Sequence, residues 1–209
     1  MRRQQAFTLI EILVVVALVG MLAAYGMTTY GRFEARSRTE MVAKELITYI
    51  RQAQMYARNG DRGPGGRCNV KASEIAAGKS GLKGWQIKLD RTADNHSQAK
   101  SVPWCTAPID SELRPGDGYS GYELPDGFVL YCGKDPCSNK YLFVRAIFGN
   151  TVYGGMESGM ESDGTKDAVF TVKAEGWNLY YHFALSNGAI TSGGFCEELD
   201  GDCQRDEGT

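Results

Sequence analysis

A single carboxylate, Glu11, stands inside an otherwise apolar run over residues 7–27, and the peptide bond between Ala6 and Phe7 lies just ahead of it. On insertion scales a carboxylate near the centre of a bilayer costs about 2.5–3.5 kcal/mol, less toward an end, and such a group normally has a partner. No Lys or Arg lies close enough in sequence to reach Glu11 from within its own helix. Cutting the chain between Ala6 and Phe7 would create one. The freed α-amine of Phe7 would be a cation about one helical turn from the carboxylate. The chemistry on offer is therefore proteolytic processing followed by ion pairing, either with the chain's own new terminus or with a neighbour's.

Other residues offer less. His96 and His182 are the two histidines, and neither has a Ser, Cys or Asp spacing that matches a nucleophile motif. His182 alternates with Tyr181 and Phe183, which reads as a solvated strand position. Asp200, Asp202, Asp206 and Glu207 lack the spacing of a calcium loop and read as an acidic tail. Glu157, Glu161, Asp163 and Asp167 form a similar cluster. Arg58, Arg62, Arg67, Lys71, Lys79 and Lys83 could attract a phosphate backbone, with Trp85 or Trp104 stacking on bases. Nucleic-acid binding is the weaker reading, because the chain is net acidic at −2 and becomes −4 once Arg2 and Arg3 are removed. No phosphate-binding loop or dinucleotide fingerprint occurs, no cofactor is expected, and the chain does not read as an enzyme.

Six cysteines, Cys68, Cys105, Cys132, Cys137, Cys196 and Cys203, all follow the apolar run, where an exported chain meets an oxidising compartment. Their spacings are too wide for paired zinc ligands, so disulfides are expected and metal is not. Six cysteines allow 15 connectivities. Pairing in sequence order, 68 with 105, 132 with 137 and 196 with 203, is the first expectation, since the last two pairs close short loops.

Elements must position these groups. Residues 7–27 are close to the ~20 needed for a spanning helix. A secretory signal peptide also has a basic start and an apolar region, but "MLAAYG" at 21–26 is a weak cleavage site and Glu11 is foreign to such a segment. Residues 28–59 hold no Pro and keep helical rhythm: Val42, Leu46, Tyr49, Ile50, Ala53 and Ala57 make one apolar stripe. The combined helix would be on the order of 80 Å long. Its first half is apolar all round and its second half amphipathic. Asn59 and Gly60 end it, and the Gly/Pro-rich 60–67 is a loop.

Beyond it, residues 84–90, 127–132, 140–149, 168–174 and 178–193 alternate as strands, with a hairpin turn at Asn187 and Gly188. Residues 91–126, polar and carrying Pro and Gly, read as a long surface excursion. The expected organisation is a leader at 1–6, a membrane and assembly half-helix at 7–27, an amphipathic half-helix at 28–59, and a disulfide-bearing β-rich head at 60–209.

The stretch from Ala6 through Phe7, Thr8, Leu9 and Ile10 to Glu11, after a short basic leader and before an apolar run, resembles the processing site of type IV prepilins and type II secretion pseudopilins. The resemblance implies an α+β, pilin-like fold, a long N-terminal α-helix packed on an antiparallel β-sheet. It also implies cleavage before Phe7 and methylation of its amine by a prepilin peptidase. Glu11 would then pair with the Phe7 amine of an adjacent subunit, guiding assembly into a filament. The family usually carries Gly where this chain has Ala6, a small residue that cleavage should tolerate, more slowly.

Gly20, Gly26 and Gly31 are expected soft points of the helix in an assembled filament, unless they serve only close helix packing. Residues 51–60, 84–90 and 183–190 are weakly similar to minor pilins and H-type pseudopilins. A minor pilin is favoured, with a type II secretion pseudopilin or a filament-displayed adhesion or DNA-binding module as alternatives. Partners would be other pilin subunits, the peptidase and, before assembly, the inner membrane; the final location would be a surface or periplasmic filament.

Charge adds one hint about neighbours. Residues 32–100 carry 14 Lys/Arg against 7 Asp/Glu, and residues 101–209 carry 7 against 17. Such opposition suits either solvated faces or contact between the basic part of one subunit and the acidic part of another.

Overall fold

The computed structural model describes residues 9–61, 82–92, 94, 96–105, 121–146, 151–155, 168–186, 188–191 and 193–196. One long helix, α1 (Leu9–Arg58), runs without a break through Gly20, Gly26 and Gly31. Eleven strands follow: β1 (Leu82–Arg91), β2 (Ser97–Cys105), β3 (Gly121–Glu123), β4 (Phe128–Cys132), β5 (Asp135–Pro136), β6 (Lys140–Arg145), β7 (Thr151–Gly155), β8 (Ala168–Ala174), β9 (Tyr180–Ser186), β10 (Ala189–Thr191) and β11 (Phe195–Cys196). The chain divides into two compact units, Met1–Arg38 and Thr39–Thr209.

Within the second unit the fold is α+β, as expected, but the single sheet expected from the sequence is two. One has the order β3-β2-β1-β6-β7, the other β10-β9-β8-β4-β5 with β11 also on β9, and every pairing is antiparallel. The expected helix stripe is the core. Val42, Ala43, Leu46, Ile47, Ile50 and Ala53 pack in one cluster with Ile87, Leu89 and Leu142 of the first sheet and Leu130, Phe170, Val172 and Phe183 of the second. Ala57 continues the stripe onto Trp85 and Val144.

The sheets approach each other at two seams. At one, the Leu130 N–H donates to Ser97 Oγ (3.0 Å), while the Leu124 N–H extends the β2–β3 ladder to the Ser97 carbonyl (2.9 Å). At the other, the Thr151 N–H donates to the Gly188 carbonyl (3.1 Å), while Gln54 of the helix donates to Thr151 Oγ1 (2.7 Å).

The expected surface excursion over 91–126 is overturned in part, because β2 lies inside the first sheet, between β1 and β3. Its inward residues are small. Ala99 pairs with Leu89, Ser101 with Ile87 and Pro103 with Trp85, so small side chains face large ones. Past the end of β3 no described strand flanks the Ser101 backbone on that side, and Tyr49 bonds it there. Its hydroxyl accepts from the Ser101 N–H (2.8 Å) and donates to Ser101 Oγ (2.9 Å).

The turn at the far end of β1 is built on Asp90. Its Oδ1 accepts from the N–H groups of Arg91 (2.9 Å) and Asn139 (3.2 Å), and its Oδ2 meets Lys88 Nζ at 2.6 Å. Asn139 is held in the left-handed region at φ 49°, and its Oδ1 accepts from the Tyr141 hydroxyl (3.0 Å). Burial alone would raise the Asp90 carboxyl, but the bonds from Lys88 and the two N–H groups outweigh it and hold the carboxyl below its ordinary range. Between β10 and β11, Gly193 lies against β9 so closely that a Cβ would strike the His182 carbonyl, and the His182 N–H still donates to the Gly194 carbonyl (2.9 Å).

Two outcomes test this account. Tyr49→Phe should cost about 1–3 kcal/mol in denaturant unfolding of the detergent-solubilised chain, the range for leaving a buried donor unsatisfied. Asp90 should shape the acid limb of stability. A carboxylate depressed in the folded state stabilises the fold above its unfolded pKa and loses that contribution as pH falls through the folded value. Unfolding midpoints of the parent should therefore drop below about pH 4, and Asp90→Asn should start lower and fall less over the same range.

Candidate functional site

Glu11 lies in the first turn of α1, where the positive end of the helix dipole favours an anion. Around it the helix is apolar on every side. Leu13, Val14, Val15, Val16, Leu18 and Val19 are each more than half exposed, and at 100° per residue four consecutive positions already sweep most of the circumference. Among the described residues α1 is the one helix long and apolar enough to cross a membrane, by length and composition, and none of its apolar window is buried. Ala6 and Phe7 lie outside the described residues.

The other residues singled out from the sequence fall in several places. Cys132 and Cys137 are joined by a disulfide with Cα atoms 4.9 Å apart. It closes the short β4–β5 hairpin, in which Cys132 pairs with Asp135 and the Cys137 N–H donates to the Leu130 carbonyl (2.9 Å). Cys196 is also disulfide-bonded. Cys105 is the last residue of β2. Cys68 and Cys203 lie outside the described residues, as do Arg62, Arg67, Lys71 and Lys79 and the acidic clusters at 157–167 and 200–207. Among the described residues no group of three His, Cys, Asp or Glu side chains is placed to hold a metal ion.

Two expectations are corrected. Trp85 does not present its ring for base stacking. It is 3% exposed, packed with Ala57, Val144 and Tyr56, and its indole N–H donates to the Asp61 carbonyl (2.8 Å). The alternation of Trp85, Ile87 and Leu89 was the signal that places it inward. His182 is not solvated either. It is 7% exposed, and its Nδ1 lies 2.8 Å from Oγ1 of Thr171, its cross-strand partner. Period-two alternation assigned it to the polar face, but that face of β8 and β9 is itself covered at Thr171 and His182. His96 sits 3.2 Å from Asp126 at an exposed turn.

A long N-terminal helix with an uncovered apolar half and an amphipathic half packed on antiparallel sheets defines a pilin-like architecture. The sequence comparison agrees. Residues 1–27 match the model of the prokaryotic N-terminal methylation motif, so the chain carries the processing signal of type IV pilins and pseudopilins. That motif points to a structural subunit rather than an enzyme. No curated protein and no solved structure matches the chain.

The disulfide has a measurable consequence. Closing a loop of this length removes denatured-state entropy worth about 2 kcal/mol. A Cys132→Ala/Cys137→Ala chain should lose about that much in urea unfolding, and reducing agent should then leave this hairpin's contribution unchanged.

Proposed function

We propose that this chain is a minor subunit of a type IV pilus-like filament, cut before Phe7 by a prepilin peptidase, methylated there, and assembled through its N-terminal helix. The observation that carries the reading is the methylation motif over residues 1–27, continuous with an apolar helix that nothing in the described chain covers. In this reading residues 1–6 are the leader. Residues 7–27 hold the precursor in the inner membrane and then pass into the filament core.

There Glu11 meets the Phe7 amine of a neighbouring subunit. The pair neutralises a carboxylate that apolar surroundings would otherwise penalise. The amphipathic half-helix at 28–59 and the β-rich head at 60–209 follow, with disulfides in the head. The same motif heads pseudopilins of type II secretion systems. The size of the head unit, Thr39–Thr209, favours a subunit that displays surface. A head used for adhesion or nucleic-acid capture would bind its ligand in that position.

Two measurements on the native protein test this. The mature chain should begin at an N-methylated Phe7 by mass spectrometry. Glu11→Ala chains should be processed yet fall in sheared filaments by roughly a hundredfold or more, the equivalent of the 3–5 kcal/mol lost when one member of a buried ion pair is removed. A mature terminus elsewhere, or altered chains entering filaments at the parental level, would overturn the reading.

A further inference from the structure

Cys196 is held in a disulfide although its side chain stands on the face of the second sheet that is turned away from the core. Its neighbour Phe195 packs against the core and meets Tyr181 edge to face at 5.2 Å. Successive strand residues point to opposite faces. Cys196 therefore points outward with its partner Tyr180, whose ring lies 5.3 Å from Lys173 Nζ.

Among the described residues no cysteine is free, and Cys132 and Cys137 hold each other. Cys105 and Cys196 are too far apart to do the same. Tyr181, next along β9 from the partner of Cys196, feels the charges of Glu40 and Lys44. Cys105 lies opposite Leu82, beyond Trp85, which packs on Ala57. From Lys44 to Ala57 the helix rises about 20 Å at 1.5 Å per residue, and a disulfide needs Cα atoms about 4.4–6.8 Å apart.

Two connectivities are left: 196 with 203 and 68 with 105, or 196 with 68 and 105 with 203. The second needs two long reaches at once. Cys68 is seven residues past Asp61, whose carbonyl is held by Trp85, and Cys203 is seven past Cys196. Seven residues span at most ~25 Å when fully extended, and each segment would have to cover the length of the head and also round the edge of a sheet. Closing the eight-residue ring from 196 to 203 requires neither.

We propose that Cys196 is bonded to Cys203, and that this ring latches β11 onto β9 once the chain reaches an oxidising compartment. β11 is two residues long, with Phe195 opposite Tyr181 and Cys196 opposite Tyr180. So short a pairing gains most from a covalent pin. The pin also keeps Gly193 and Gly194 against His182, where no Cβ would fit and the His182 N–H is bonded. Closure is thiol–disulfide exchange: the thiolate of one cysteine opens a disulfide donor, and the second cysteine then displaces that donor. Two protons and two electrons leave the chain, and the donor departs as a dithiol. The bond requires export but not assembly into a filament.

Bond mapping on the native, unreduced chain tests the pairing. No Lys or Arg lies between 173 and 205, so cleavage after basic residues should release 174–205 as one peptide, lighter than its reduced form by two hydrogen atoms. A second cut at the acidic residues between the two cysteines should leave the halves joined, and residues 68–71 should come attached to the peptide that carries Cys105. Cys196 attached to 68–71, or found as a thiol, would overturn the pairing without recourse to any variant.

Hydrogen exchange tests the latch. In Cys196→Ser/Cys203→Ser the amides of Tyr180 and His182 should exchange about fiftyfold faster, the weight that an eight-residue ring removes from open states. Amides of β4 and β8 should keep parental rates. Parental exchange at Tyr180 and His182 would overturn the latch. Equal loss of protection across β4, β8 and β9 would overturn it too, by making the bond a support of the whole head.

Discussion

Apolar helix surface has to be covered, and along the first half of α1 the described chain supplies no cover. Burial of apolar area contributes roughly 25 cal/mol per Å², so a helix bearing Leu13, Val14, Val15, Val16, Leu18 and Val19 on every side is driven into lipid or against other helices. From residue 39 onward the same helix meets the opposite situation. Its stripe from Val42 to Ala57 is buried on its own head, and Lys44, Thr48 and Gln52 turn outward. One continuous helix thus carries two solvation problems, one solved inside the chain and one left for an environment outside it.

The head's solution depends on polar groups as much as on apolar ones. Two sheets that both pack on one helix stripe must approach along their edges, and exposed edges carry unpaired N–H and C=O groups. Ser97 and Thr151 sit at those seams and take up such groups, while Tyr49, Arg51 and Gln54 reach out from the helix to the same edges. Tyr49 bonds Ser101, Arg51 lies 3.4 Å from the Ile190 carbonyl, and Gln54 bonds Thr151. The apolar stripe places the helix, and these side chains fix its register against both sheets.

This division explains which parts of the fold were legible in the sequence. β4, β8 and β9 are rich in β-branched and aromatic residues, and β6 is buried on both faces, with Leu142 and Val144 on the core and Tyr141 stacked with Phe143 at 5.8 Å on the other side. Runs of that kind announce themselves. β2 does not, because its core-facing residues are Ser, Ala, Ser and Pro, chosen to fit opposite Leu89, Ile87 and Trp85, and a Pro inside a run normally argues against a strand. Two sheets rather than one could not be read either. The distinction lies in seam bonds between residues far apart in sequence, whose types are ordinary. The N-terminal motif was legible because a carboxylate in an apolar helix is costly and therefore conspicuous. His182 was misread because alternation reports which face a residue takes, not whether that face is covered, and Trp85 because its alternation with Ile87 and Leu89 was passed over.

Residues 12–31 hold no Asp, Glu, Lys or Arg. At 1.5 Å per residue they span ~30 Å of helix, about the thickness of a bilayer's hydrocarbon layer, which bears on the electrostatics of Glu11. If residues 12–31 fill the hydrocarbon layer, the carboxylate of the precursor lies at its edge, where the penalty is well below that at the centre. The acid then costs little while the chain waits in the membrane. Its cost rises only when the helix moves into apolar surroundings without headgroups or water. In the proposed filament a Phe7 amine on a neighbour would be most valuable at that point, because the attraction between two charges grows as the local dielectric falls. On this reading Glu11 discriminates between states: it is tolerated in the free precursor, penalised in a misplaced helix, and compensated only where another processed subunit presents its terminus.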